Sequence, residues 1–277
     1  MTQFPKERLA PFLEALGYDE DPMAIFYSDK EPDEGFAPAV LPLPSIEEDR
    51  NRTVDWKLLN ENWSCVLGKL RLARHGHTTA YFGKERFGCL GGAFFLGYNK
   101  PQLETIVHYV STGIPNVLEG EHYFPSPETA RQYYQQIDPA PAPGRFCVFK
   151  PISLLAQGEV AEFVTFFARP EVISGLHQLT LFVTNDPEAV MSPWGAGCTN
   201  LVSWPRKYKQ NGSMKACLGG WDPSCRKFLK PEEITFTLPA EMCEQMLMRW
   251  EESFLTASAW KAVKKRIDRS RRMWETQ

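Results

Sequence analysis

Apolar residues recur at helical spacing at Leu9, Phe12, Leu13 and Leu16, with Gly17 where a left-handed C-cap belongs, so a helix is expected over 6–16. The short apolar run Met23 to Tyr27 reads as a buried strand. Residues 31–49 hold four prolines and many acids and read as a surface loop, long enough to cover a site. Trp56, Leu59, Trp63, Val66, Leu67 and Leu70 fit one helix over 56–74 with Cys65 in its middle, followed by a strand over 78–82. Helices are then expected over 102–111 and 125–136, the second opened by Ser126-Pro127 as N-cap and first helical residue. Strands at 146–149 and 160–167, a helix at 170–181, strands at 214–218 and 234–238, and helices at 239–254 and 257–274 complete the pattern. The class is α+β, or mixed α/β, with helices packed on mixed sheets; the alternation is too irregular for a doubly wound sheet.

The run Pro139-Ala-Pro-Ala-Pro-Gly144 is the clearest linker. It suggests an N-terminal half (1–138), a linker (139–144), a C-terminal half (145–256) and a terminal basic helix (257–277). An internal echo supports the halves. Cys89-Leu90-Gly91-Gly92 and Cys217-Leu218-Gly219-Gly220 are identical, and each follows another cysteine, Cys65 by 24 residues and Cys198 by 19. A duplicated pair of half-sites explains this; chance similarity of glycine-rich turns is the competing reading.

Composition narrows the chemistry. The chain has 277 residues, 23% charged and 43% hydrophobic, long enough to bury a core without disulfide or metal staples. It contains no apolar run of membrane-spanning length, and its start lacks an apolar signal core. A cytoplasmic location is therefore expected, with the seven cysteines serving as ligands, redox groups or small hydrophobes rather than as disulfides. The formal net charge is only −3, yet residues 1–50 carry twelve acids and four bases, and residues 261–277 carry seven bases and two acids. Nucleic acid is accordingly expected as a partner only through the basic tail 261–277; the alternatives there are a cap on the helix dipole or docking onto an acidic partner. A redox partner or a small molecule is the remaining partner class, and none is expected in a membrane.

The leading chemical reading joins Cys65, Cys89, Cys198 and Cys217 in a metal centre. Four thiolates suit an iron-sulfur cluster, or zinc as the alternative, and Gly91, Gly92, Gly219 and Gly220 would let backbone N–H groups approach the sulfurs. No Cys-x-x-Cys pair occurs, so the fold itself would have to assemble the site. A second reading makes the thiols reactive: Cys198 at the start of a short helix, or Cys225 beside Arg226 and Lys227. A third takes the glycine-rich turns as anion or small-ligand cradles, leaving the cysteines structural. Cys147 and Cys243 read as hydrophobes, and His75 and His77 as a polar turn or an imidazole pair. Hydrolase, zinc-protease and calcium-loop motifs are absent.

The ordered set Met23-Ala24-Ile25-Phe26, Cys65-x-x-Gly68, Gly88-Cys89-Leu90-Gly91-Gly92 with Leu96-Gly97, Cys198, Cys217-x-Gly219 with Arg226, and Glu233 to Pro239 resembles the archaeal and bacterial family known as domain of unknown function 169, or ArCR. The resemblance spans about Met23 to Phe254. It implies a soluble, cysteine-bearing protein, found largely in anaerobes and archaea, with no assigned reaction. The acidic insertion before Cys65 and the basic helix after Phe254 depart from the pattern.

Overall fold

In the computed structural model, which describes residues 5–275, a seven-stranded mixed sheet runs through the whole molecule. Its strands are β1 (Met23–Ser28), β2 (Ala80–Gly83), β3 (Phe146–Pro151), β4 (Phe163–Ala168), β5 (Val190–Met191), β6 (Ala216–Gly219) and β7 (Ile234–Pro239). They lie in the order β2-β3-β1-β4-β7-β6-β5, antiparallel throughout except for the β5–β6 pair. The central strands are buried on both faces, which is why they read as continuous apolar runs rather than alternating ones.

Side-chain alternation divides the core into two layers. Ala24, Phe26, Val148, Val164, Phe166 and Phe236 face the helices Leu9–Leu16, Pro170–Thr184 and Ala240–Arg249. Ile25, Phe82, Cys147, Phe149, Phe163 and Phe167 face the other side, against Val66–Gly76, Leu90–Phe95, Pro127–Ile137 and Trp204–Gln210. The expected surface loop at 31–49 is only partly one. Its end forms the helix Ile46–Arg50 with a Ser45–Glu48 capping box, and Asp49, buried, accepts hydrogen bonds from the backbone N–H and hydroxyl of Thr105. This insertion covers a third, smaller apolar cluster around Leu41, Leu59, Phe87 and Leu103.

The sheet has a local two-fold symmetry. Ala24 pairs with Val164 at the seam between β1 and β4. Rotation about that pair exchanges the row Ile25–Phe149–Ala80, across β1, β3 and β2, with the row Thr165–Thr237–Cys217, across β4, β7 and β6. It likewise exchanges Met23 and its partner Pro151 with Phe163 and its partner Pro239. β3 pairs with both β1 and β2, so the run at 139–144 leads into a strand of that side of the sheet. The same register sets Cys217 opposite Ala80, not Cys89. The repeated tetrapeptide thus occupies two different places, β6 in one case and the start of a helix beyond β2 in the other.

Candidate functional site

The expected single helix over 56–74 is broken. Trp56–Glu61 ends at Asn62, and a second helix, Val66–Gly76, begins with Cys65 as its N-cap in extended conformation. Cys65 is therefore at a helix mouth, not mid-helix. Cys89 is the N-cap of Leu90–Phe95, and Cys198 caps a π-helical turn, Thr199–Ser203, that runs on into Trp204–Gln210. Cys225 lies in the 3-10 helix Pro223–Phe228, whose N-cap Asp222 accepts from the Ser224 N–H and hydroxyl.

Backbone contacts tie these turns together. The Ser64 N–H donates to the Gly88 carbonyl at 3.0 Å, linking the residues just before Cys65 and Cys89. Gly197, just before Cys198, lies so close to its neighbours that a Cβ there would stand 2.7 Å from Leu67 Cδ2 and 3.1 Å from Cys225 Sγ. A side chain at 197 would push the Cys198 turn away from both.

Electrostatics follows the same grouping. Burial pushes the Cys198 thiol well above its ordinary pKa, and negative charge on Cys89, Cys65, Asp222 or Cys225 pushes it further. Cys225 is raised to about 12 by burial, then by Asp222 and Cys65, with Arg226 opposing. Cys89 is also raised to about 12 by burial and by Cys65, although its sulfur accepts the Gly92 N–H at 3.1 Å. Burial raises Cys65, while the N–H groups of Gly68 and Leu67 pull it down. Asp222, 8% exposed, raises all four thiols. It raises the Glu121 carboxyl too, after burial.

Of the four expected cysteines, Cys65, Cys89 and Cys198 are near enough to influence one another electrostatically. Cys217 does not join them. It is fully buried in β6, and burial alone raises its thiol. Cys225 takes the fourth place. Cys89 follows the last residue of β2 by six positions and Cys225 follows the last residue of β6 by six, although the strand register itself sets Cys225 opposite Gly88. Cys65 and Cys198 each cap the helix that lies between the equivalent strands. The signal for Cys225 was therefore present in the strand-to-cysteine spacing, but the identical tetrapeptides drew attention to Cys217.

The glycines divide as well. Gly92 and Gly91 both turn backbone N–H groups toward the Cys89 sulfur, and a Cβ at Gly91 would meet only Phe95. Gly219 and Gly220 pack against Asn200, Thr235 and Leu229, as glycines do where a helix presses on a strand. His77 reaches Asp21 at 3.2 Å, and both His75 and His77 are exposed, so they form a polar turn. Among the described residues no three His, Cys, Asp or Glu side chains stand where they could hold a metal ion between them. No described helix is long and apolar enough to cross a membrane.

The family model DUF169, described as uncharacterised ArCR, matches residues 12–249, and the chain belongs to that family. No curated protein and no solved structure matches.

Proposed function

We propose that this DUF169 member carries an iron-sulfur cluster ligated by Cys65, Cys89, Cys198 and Cys225, two thiolates from each symmetric half, and uses it for electron transfer. The observation that supports the reading is the mutual electrostatic influence of four thiols, two from each side of the sheet, three of them at helix N-caps. A duplicated and fused ancestor accounts for that arrangement.

The chemistry of the donor set supports a cluster over zinc. One zinc ion draws four sulfurs to about 2.3 Å from a common centre, hence roughly 4 Å from one another. The four thiols interact electrostatically, yet no three meet around a single point. A multi-iron cluster spreads its cysteine ligands further apart than a single zinc ion does. Each thiol is held protonated by burial and by the negative charge its neighbours would carry. Bound iron supplies the positive charge that lets all four ionise together, releasing protons as it binds. The Gly92 N–H already donates to Cys89, and such bonds to ligand sulfurs tune a cluster's potential.

The test is purification of the full chain without oxygen, followed by visible absorption spectroscopy and iron and acid-labile sulfide assays. Brown protein containing both elements is expected. Protein that stays colourless after anaerobic reconstitution with ferrous iron and sulfide would overturn the proposal, as would stoichiometric zinc at the same thiols.

A further inference from the structure

Asp222 is 8% exposed and, among the described residues, forms no ion pair. Its Oδ1 accepts the Ser224 N–H at 3.0 Å and its Oδ2 the Ser224 hydroxyl at 2.9 Å, as the N-cap of the 3-10 helix Pro223–Phe228. Its own carbonyl accepts the Cys225 N–H at 3.1 Å, so the turn that carries the carboxylate also presents the thiol. A buried carboxylate held only by neutral donors is costly unless positive charge stands near it.

Two cations follow in the chain, and neither pairs with Asp222. The Arg226 guanidinium donates to the carbonyls of Gly220, Lys230, Pro231 and Glu233. Lys227 Nζ lies over the Phe228 ring, 5.2 Å from its centroid. On Cys225 the Asp222 charge outweighs Arg226, and on Cys65 it outweighs Lys227. The same carboxylate acts on Cys89 and Cys198, so one acid reaches thiols from four separate segments of the chain.

We propose that Asp222 sets the reduction potential of the centre the four cysteines hold, its buried, unpaired negative charge favouring the oxidised state and so lowering that potential. The inference rests on the cluster reading and deepens it. Asp222 acts through space, because both carboxylate oxygens are engaged by Ser224 in the turn that presents Cys225. One electron enters from a reductant and leaves to an acceptor, while Asp222 changes neither a bond nor a proton. At an effective dielectric constant of about 20, a unit charge within about 10 Å shifts such an equilibrium about tenfold or more.

The experiment compares the reconstituted parent with Asp222→Asn by dithionite titration in the presence of redox mediators, followed by electron paramagnetic resonance, with iron and sulfide assayed on each sample. Asparagine can keep the cap, accepting from the Ser224 N–H and donating to its hydroxyl, but it removes the charge. Iron content should match the parent, and the reduced-to-oxidised ratio at a fixed potential should rise about tenfold, about 59 mV for one electron. The shift should persist in about 1 M salt, where the contribution of an exposed charge is screened out. Ser224→Ala disturbs the same turn and keeps the charge, so its potential should not rise. Equal potentials in the parent and Asp222→Asn, or a rise in Ser224→Ala, would overturn the proposal and leave the cluster standing. Loss of iron from Asp222→Asn would make Asp222 a ligand or a structural cap, and would overturn it too. A parent that takes up no cluster overturns the cluster reading and this inference with it.

Discussion

The Arg74 guanidinium lies 4.1 Å from the centroid of the Phe167 ring, crossing from the first half of the molecule to β4 of the second. Its symmetry counterpart is Arg206, which lies 5.1 Å from the ring of Tyr27, the residue of β1 that the two-fold exchanges with Phe167. Each arginine also reaches a glutamate just ahead of a central strand, Glu20 before β1 and Glu162 before β4. Each follows a cysteine on the same helical segment, Cys65 or Cys198, so the arginines lock across the seam the helices that position those cysteines.

Arg74 is 11% exposed and grips Glu233, 2% exposed, with two hydrogen bonds of 3.0 and 3.2 Å. Arg74→Gln strips a buried carboxylate of its main partner, leaving Lys230 at 3.2 Å as partial compensation. The expected loss is about 3 kcal/mol, the lower end of the range for breaking a buried pair. Urea unfolding of the variant against the parent measures it; a loss within experimental error would show that the pair adds nothing to stability.

The same pair sets an acid limit. Burial pushes the Glu233 carboxyl up, but Arg74 and the Lys230 backbone and ammonium outweigh it, so its pKa lies below the ordinary value. A depressed folded-state pKa contributes stability that is complete above the unfolded value of about 4.3 and is lost as pH falls through the folded value. Glu233→Gln should therefore be less stable than the parent at neutral pH, and its stability should fall less steeply between about pH 4.3 and acid unfolding. Parallel slopes for the two proteins would contradict this.

At alkaline pH the metal-free protein should weaken through its thiols. Cys89 and Cys225 are raised to about 12, while an unfolded cysteine ionises near about 8.5. Raised folded-state values give stability that is full below about pH 8.5 and is lost as pH rises toward the folded values. Chemical denaturation from pH 8 to 11 should show that decline, and Cys89→Ala, Cys225→Ala should flatten it. In the folded apo-protein at pH 8 both thiols should alkylate much more slowly than in urea.

Much of the fold was legible in the sequence because helical and strand periodicities report burial directly. The Ser126-Pro127 helix start, the β1 and β7 runs and the terminal helix all follow from local signals. The break at Asn62 to Ser64 was not legible: Trp63 continues the apolar spacing although the chain leaves the helix there, and Trp63 remains 56% exposed. Strand order was equally hidden, since β3 enters between β1 and β2 from more than sixty residues away. That long-range pairing decides which cysteine corresponds to which. Cys65, Cys89 and Cys198 could be named from sequence, but Cys225 was passed over because Cys217 shares a tetrapeptide with Cys89, whereas Cys225 shares only a distance from a strand end.

The two glycines that the tetrapeptides set in the same place should respond to substitution in opposite directions. Gly91 lies in the first turn of Leu90–Phe95, and a Cβ there would meet nothing nearer than Phe95 at 3.8 Å. Gly91→Ala should stabilise the protein by up to about 1 kcal/mol, since alanine gives up less backbone entropy in a helix. Gly219 sits in β6, where a Cβ would stand 2.5 Å from Asn200 Cβ and 2.8 Å from Thr235 Oγ1, both side chains being fully buried. Gly219→Ala must push β6 away from the helical segment that Cys198 starts, at a cost of about 1–3 kcal/mol. That displacement acts on Cys198 but not on Cys65 or Cys89, so iron content after anaerobic reconstitution should fall in Gly219→Ala and stay at the parental level in Gly91→Ala. Thermal unfolding and iron assays on the two variants check both halves of the prediction, and equal behaviour would mean that the two tetrapeptides share a structural role after all.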